Sequence, residues 1–395
     1  MAVTTATWGQ KQQQVEARPG KDLALLLTGG GARAAYQVGL LTYLARRFPG
    51  LRIPTFTGVS AGAVNVAYLA SHQGTFTEAV RGLAELWGGL TFQRIFRADA
   101  RSLAWSAVRW ATRLASGGLA HGPQAHGLLD TRPLRELLES VLAVKDGGIL
   151  AGIEANLRRG AVNAVSISTT NYSTGQAVIW VQGCQCEMWT RPQRKAVQEI
   201  LTVDHIMASA ALPLLFPAVR IGDSWYGDGG VSLTAPFSPA IHLGAGRILA
   251  ISTRYARTRE EADRPSIIGY PPPAQVAGIL LNAIFLEAID EDALRLRRLN
   301  QLLEKLPDQV RGSLRRVELL VLRPSRDLGS LALEYERQLP SAFRFMTRGL
   351  GTRETLGGDL LSMLLFQPDY LKRLMEIGEA DAEAHSDEIA ALLAD

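Results

Sequence analysis

Residues Gly58-Val59-Ser60-Ala61-Gly62 constrain this chain more than any other stretch. Ahead of them, Ile53-Pro54-Thr55-Phe56-Thr57 is rich in β-branched and aromatic side chains and reads as a strand. Behind them, Ala63 to Leu69 reads as a helix. A serine between glycines at a strand-to-helix turn is a nucleophile elbow: the turn leaves almost no room for flanking side chains, and the positive end of the following helix lies beneath the hydroxyl. Glycine makes up 38 of 395 residues, so the pattern alone can arise by chance. The surrounding chain has to supply the rest of a site.

One strand earlier, Leu23-Ala24-Leu25-Leu26-Leu27-Thr28 is a short continuous apolar run, the pattern of a strand buried on both faces. Gly29-Gly30-Gly31-Ala32-Arg33 follows, and a helical pattern runs from Ala34 to Arg47. Strand, glycine loop and helix together aim backbone N–H groups at an anion. A dinucleotide site needs an acidic residue about 20 positions on, and none occurs between Asp22 and Glu78. A nucleotide-phosphate loop needs a Gly-Lys-Ser/Thr ending, which is missing. The reading that remains beside a plain tight turn is an oxyanion hole for the serine. Arg33 either faces solvent or braces the loop and draws an anionic group such as a lipid phosphate.

Further on, Val219 to Gly227 reads as a hairpin turning at Gly222-Asp223, and it delivers Asp228-Gly229-Gly230. Asp228 is a turn aspartate or a base. A triad would run serine, acid, histidine, an order that Ser60 and Asp228 satisfy with either His242 or His385. His242 lies among apolar residues and reads as structural, and His385 lies in an acidic terminal segment and reads as solvated.

The chain resembles the patatin-like phospholipases. The likeness rests on four segments in order: Gly29 to Arg33, Gly58 to Gly62, Ala208-Ser209-Ala210-Ala211-Leu212-Pro213-Leu214-Leu215-Phe216-Pro217, and Asp228-Gly229-Gly230. It spans about residues 22–255. Members often carry glycine after the arginine, where this chain has Ala34, which we expect to open the helix. The resemblance implies an α/β fold with a mostly parallel sheet sandwiched by helices, and hydrolysis of lipid acyl esters without metal or organic cofactor. It implies a dyad of Ser60 as nucleophile and Asp228 as base. Gly29, Gly30, Gly31 and Ala61 would form the oxyanion hole, supported by Arg33, Gly58, Gly62, Gly229 and Gly230. An esterase acting on a non-membrane ester or polyester would use the same motifs, and a non-catalytic lipid-binding protein would keep the fold.

The remaining organisation is expected to be a polar, disordered leader over 1–21, a catalytic domain over 22–255 and a mainly helical extension over 256–395 packed on the core, with a strand expected at Val317–Leu322. The expected long helices are Ala274 to Lys305 and, at the end, Asp369–Leu393. Arg101 to Ser116 is a basic amphipathic stretch, a candidate for peripheral membrane association alongside the lipid substrate. The net charge of +4 is too small and scattered to argue for nucleic acid. No signal peptide or membrane-spanning stretch is visible, which fits a cytoplasmic protein. Cys184 and Cys186, one residue apart, are too few for a disulfide framework or a structural zinc site. His121 and His126 have no nearby carboxylate or thiol and make a poor metal site.

Overall fold

The computed structural model describes residues 22–97, 127–184, 186–263, 288–336 and 358–394, with residues 270, 276, 279 and 280 between them. The polar leader, the amphipathic stretch Arg101 to Ser116 and both His121 and His126 lie outside the described residues.

The apolar run after Asp22 forms β1 (Leu23–Leu27), and every one of its residues is buried. Leu25 and Leu27 join one core cluster while Ala24 and Leu26 join another, so both faces of the strand are covered. The sheet grows outward from it. On one side stand β2 (Thr55–Val59) and the longer β5 (Ala164–Asn171), and on the other β11 (Arg247–Ile251) and β12 (Glu318–Leu322). These five strands are parallel, in the order β12-β11-β1-β2-β5. Beyond β5 come β6 (Ala177–Gln182), antiparallel to it, then β8 (Arg194–Gln198) and the short edge strand β7 (Thr190–Arg191). A separate two-stranded ribbon pairs β3 (Val144–Lys145) with β4 (Ile149–Leu150). The α/β fold with a mostly parallel sheet is therefore as the motifs led us to expect, and the extension after residue 256 adds β12 to it.

Two helical layers cover the sheet. One face carries α1 (Ala35–Arg47), α2 (Ala61–Ser71), α3 (Phe76–Gly88), α4 (Phe92–Ile95), α5 (Arg132–Val141), α6 (Ala151–Arg158) and α7 (Val203–Ser209). The other face carries α8 (Ser238–His242) and α9 (Ala288–Lys305), which lies within the helical stretch expected from Ala274 to Lys305. Near the end of the chain lie α10 (Leu328–Glu334), α11 (Asp359–Leu364), α12 (Pro368–Ala384) and α13 (Ser386–Leu393). The terminal helical pattern is thus two helices, parted at His385, where the backbone leaves helical geometry. The first and penultimate helices meet backbone to backbone. A Cβ on Gly39 of α1 would stand 1.9 Å from the Met375 carbonyl oxygen, and one on Gly378 of α12 would stand 2.1 Å from that of Tyr36. The Tyr36 hydroxyl donates to Asp381 at 3.0 Å across the same crossing.

One feature of the sheet places the site. A strand has two hydrogen-bonding edges, and β6 takes one edge of β5 along Val165 to Thr170. On the other edge β2 pairs as far as Val59 opposite Ser168, and there it turns away. The hairpin β9 (Val219–Ile221) and β10 (Ser224–Asp228) takes over from that point, with Asp228 opposite Thr169. The end of β2 and the end of β10 therefore meet head on.

Cys184 and Cys186 are bonded to each other, so neither is a free thiol. The bond spans a single intervening residue and ties no two elements together, so it is no framework.

Candidate active site

Ser60 occupies the turn between β2 and α2 with φ 57° and ψ −132°, a left-sided conformation that a non-glycine residue holds only when its surroundings enforce it. The enforcement is visible. A Cβ on Gly62 would lie 2.3 Å from the Leu27 carbonyl oxygen, and one on Gly58 would lie 2.8 Å from the Ala63 Cα, so neither neighbour tolerates a side chain. The Ser60 N–H donates to the Ser209 hydroxyl at 2.9 Å, and that hydroxyl donates to the Ser168 carbonyl at 2.7 Å. Ser209, at the end of α7, thus pins the elbow to β5. The sequence motifs contain this serine without marking it, because a serine between alanines on a helix carries no spacing signal.

Asp228 is fully buried. Its backbone N–H donates to the Ala211 carbonyl, and its Oδ1 accepts from the Gly230 N–H at 2.9 Å. Its Oδ2 is buried with no hydrogen-bond partner among the described residues. Burial raises the carboxyl pKa to about 7, and the Ser60 hydroxyl and the Gly230 N–H only partly oppose the rise. The Ser60 hydroxyl is thus close enough to favour the ionised form, but in the resting geometry it does not complete a hydrogen bond to Oδ2. Gly229 is fixed by crowding: its Cβ would stand 2.1 Å from the Ser168 carbonyl oxygen.

The glycine loop closes the third side. Gly30 has φ 143° and Gly31 has φ 57°, both in the region that favours glycine. A Cβ on Gly29 would lie 2.8 Å from the Cβ of Ser60, so the loop lies directly against the serine. Among the described residues no protein acceptor takes the N–H of Gly30, Gly31 or Ala61. The loop carbonyls, by contrast, are tied back. Thr253 Oγ1 donates to the Gly29 carbonyl at 2.6 Å and Gln37 Nε2 donates to the Thr28 carbonyl at 2.8 Å. Gln37 is in turn held by Asn65, which accepts from the Trp87 indole at 2.7 Å. Tied carbonyls and open N–H groups make a loop that presents donors. Thr253 and Gln37 are polar residues at a strand end and in a helix, and only the packed structure shows their use.

Arg33 settles between its two readings. It is 3 % exposed, so it does not face solvent. Its guanidinium pairs with Asp359 at 2.7 Å and donates to the Ser362 hydroxyl at 2.6 Å, so it braces the loop with its charge already matched by a carboxylate. It is not open to draw a lipid phosphate. Ala34 has φ −65° and ψ −11°, right-handed geometry that suits alanine at the helix start.

The described histidines stand elsewhere. His242 bonds the Ser238 carbonyl at 2.7 Å and stacks on Trp189. His385 bonds Glu388 at 3.0 Å on the surface. His205 bonds Thr202 within the first turn of α7, and His72 accepts from Gly74. None of the four is bonded to Ser60 or Asp228. Among the described residues no group of His, Cys, Asp or Glu is placed to hold a metal ion.

A cavity is lined by Gly31, Ser60 and Ala61 together with Trp87, Leu138, Phe216 and Phe366, an empty space of about 620 Å³ that includes some open solvent. Among the described residues no charged side chain lines it. A hydroxyl on the wall of an apolar space, beside a buried carboxylate and a set of open N–H groups, is suited to acyl transfer from a substrate with a hydrocarbon tail.

Comparison with known proteins agrees in kind. The family model described as patatin-like phospholipase matches residues 25–241, more than half of the chain. No curated protein sequence matches significantly. Among solved structures, the chain is similar to human GIVD cytosolic phospholipase A2 at 12% identity and a TM-score of 0.46, covering 96% of this chain and 61% of that one. It is similar to VipD from Legionella pneumophila at 12% identity and a TM-score of 0.38, covering 93% and 67%. It is also similar to ExoU in the ExoU–SpcU complex of Pseudomonas aeruginosa at 15% identity and a TM-score of 0.27, covering 99% and 85%. The chain thus spans about three fifths of the length of the human enzyme.

Proposed function

Because the chain belongs to the patatin-like phospholipase family, we propose that it hydrolyses acyl esters of phospholipids or lysophospholipids through a Ser60–Asp228 dyad. The observation that carries this reading is the buried carboxylate of Asp228, near enough to the Ser60 hydroxyl to feel it, beside an apolar cavity that Ser60 lines. Asp228 takes the Ser60 proton as Oγ attacks the ester carbon. The N–H groups of Gly30, Gly31 and Ala61 receive the oxyanion that forms. Collapse of the intermediate breaks the acyl C–O bond, and Asp228 returns the proton to the departing alcohol. Water then attacks the acyl-serine, Asp228 takes its proton, and the fatty acid leaves with Ser60 restored.

A carboxylate with its pKa near 7 is an effective base at neutral pH only when ionised. On soluble esters kcat/KM therefore rises with pH through about 7 and levels off above it, as a single ionisation. A profile flat from pH 5 to 9 is incompatible with Asp228 as the base. The identifying experiment pairs fluorophosphonate labelling, with the adduct mapped by peptide mass spectrometry, with product analysis on a mixed lipid extract. The expected results are one adduct, on Ser60, and released fatty acid. Folded protein that forms no Ser60 adduct would instead be a lipid-binding member of the fold.

The cavity sets a second expectation. Each buried methylene of an acyl chain contributes about 0.8 kcal/mol, close to a fourfold preference. Leu138→Trp fills part of the space, so the kcat/KM ratio of long-chain to short-chain p-nitrophenyl esters falls by about tenfold or more. An unchanged ratio would place the acyl chain elsewhere.

A further inference from the structure

We propose that the arm Asp359–Phe366, outside the residues that the family model matches, is a working part of the catalytic site, with Asp359 and Ser362 as positioning residues for the glycine loop. The inference rests on the proposed role of that loop in holding the oxyanion.

The arm meets the loop at three points. Arg33 Nε donates to Ser362 Oγ at 2.6 Å, and Arg33 Nη2 donates to Asp359 Oδ1 at 2.7 Å and to the Asp359 carbonyl at 3.2 Å. Ser362 Oγ donates back to the Asp359 carbonyl at 2.7 Å, which fixes the hydroxyl as an acceptor for the guanidinium. The backbone itself forms the third point: a Cβ on Gly31 would stand 2.2 Å from the Met363 carbonyl oxygen. Arg33 lies in the turn Gly31–Ala34, and its N–H closes on the Gly30 carbonyl at 3.1 Å. A pull on the guanidinium is therefore a pull on the peptide units that carry the two open N–H groups. The same arm reaches the substrate space, where Met363 and Phe366 line the cavity.

The geometry argues for orientation more than for binding. A planar guanidinium held in a fork by a carboxylate and a hydroxyl has little rotational freedom. Oxyanion donors are effective only when they point to the place where charge develops, and a misplacement near 1 Å can cost about a hundredfold in rate. Loosening the fork should therefore reduce the chemical step and leave the acyl cavity able to take substrate.

The test uses the full-length protein and short-chain p-nitrophenyl esters, with a fluorophosphonate whose fluoride leaves as Ser60 Oγ bonds to phosphorus. In Asp359→Asn and Ser362→Ala, kcat is expected to fall about tenfold or more with KM within about twofold, and the rate of Ser60 phosphonylation to fall by the same factor. Asp359→Glu, which keeps the charge, should recover part of the loss. Should Asp359→Asn fail to fold, Ser362→Ala gives the same readout at the cost of one hydroxyl. The proposal is overturned if the folded variants keep wild-type kcat and phosphonylation rate, or if their loss appears in KM alone or follows a drop in Tm. Failure of the loop's assigned role would look different: the wild-type protein itself would neither hydrolyse the esters nor take the label.

Discussion

Ser60→Ala is expected to lower kcat/KM on acyl esters by about 10⁴-fold or more, and Asp228→Asn by about 10³-fold or more, with both proteins folded. The two losses should not multiply in the double variant, since a nucleophile without its base and a base without its nucleophile fail at the same step. His242→Ala and His385→Ala should each keep activity within about threefold, because their rings are engaged with Ser238 and Trp189 and with Glu388. A histidine variant that folds yet fails as completely as Ser60→Ala would overturn the dyad. Asp228→Asn carries a second signature. A carboxyl whose folded pKa is raised favours the native state when protonated, and that contribution is lost as pH climbs from the ordinary aspartate range to about 7. The asparagine variant should thus melt slightly above wild type at pH 5 and by a larger margin, several degrees, at pH 8, trading activity for stability.

The second large effect concerns Gly31. Gly31→Ala puts a methyl group into a left-handed position and 2.2 Å from the Met363 carbonyl oxygen, which is backbone and cannot swing aside. The strain alone is of order 1–2 kcal/mol, and the clash must move either the loop or the arm. We expect kcat to drop about 10²-fold or more, with Tm lowered by several degrees in thermal melts. Gly30→Ala meets the Thr253 side chain instead, at 2.4 Å from Oγ1, and breaks the tie to the Gly29 carbonyl. Near-wild-type kcat in Gly31→Ala would mean that the loop donors are not aimed at the reacting oxygen.

Much of this was legible in the residues, because tight turns and buried strands leave local marks. The elbow shows in Gly58 and Gly62, where geometry forbids a side chain, and β1 shows as an uninterrupted apolar run. The β9–β10 hairpin shows in Gly222-Asp223, but nothing in Ser224 to Asp228 tells that its partner would be the vacated edge of β5. The supports were silent for a physical reason. Ser209, Thr253, Gln37, Asp359 and Ser362 act through contacts between distant parts of the chain, and each sits in an element whose local pattern is ordinary. Arg33 was ambiguous because exposure is decided by what packs above it, and its partner is 326 residues away. The bond between Cys184 and Cys186 was missed because so short a spacing serves no framework purpose.

The crossing of α1 and α12 at Gly39 and Gly378 has a consequence for synthesis. On a ribosome, α1 emerges long before the helix whose backbone it must touch, and contacts this distant form late. Ser60 is made early too, while Asp228 and then the arm that grips Arg33 and lends Met363 and Phe366 to the cavity follow in that order. A nascent or prematurely terminated chain therefore carries Ser60 without the base and the loop support that the proposed dyad requires. Under the proposed mechanism, a chain ordered in this way cleaves no ester until the arm is in place.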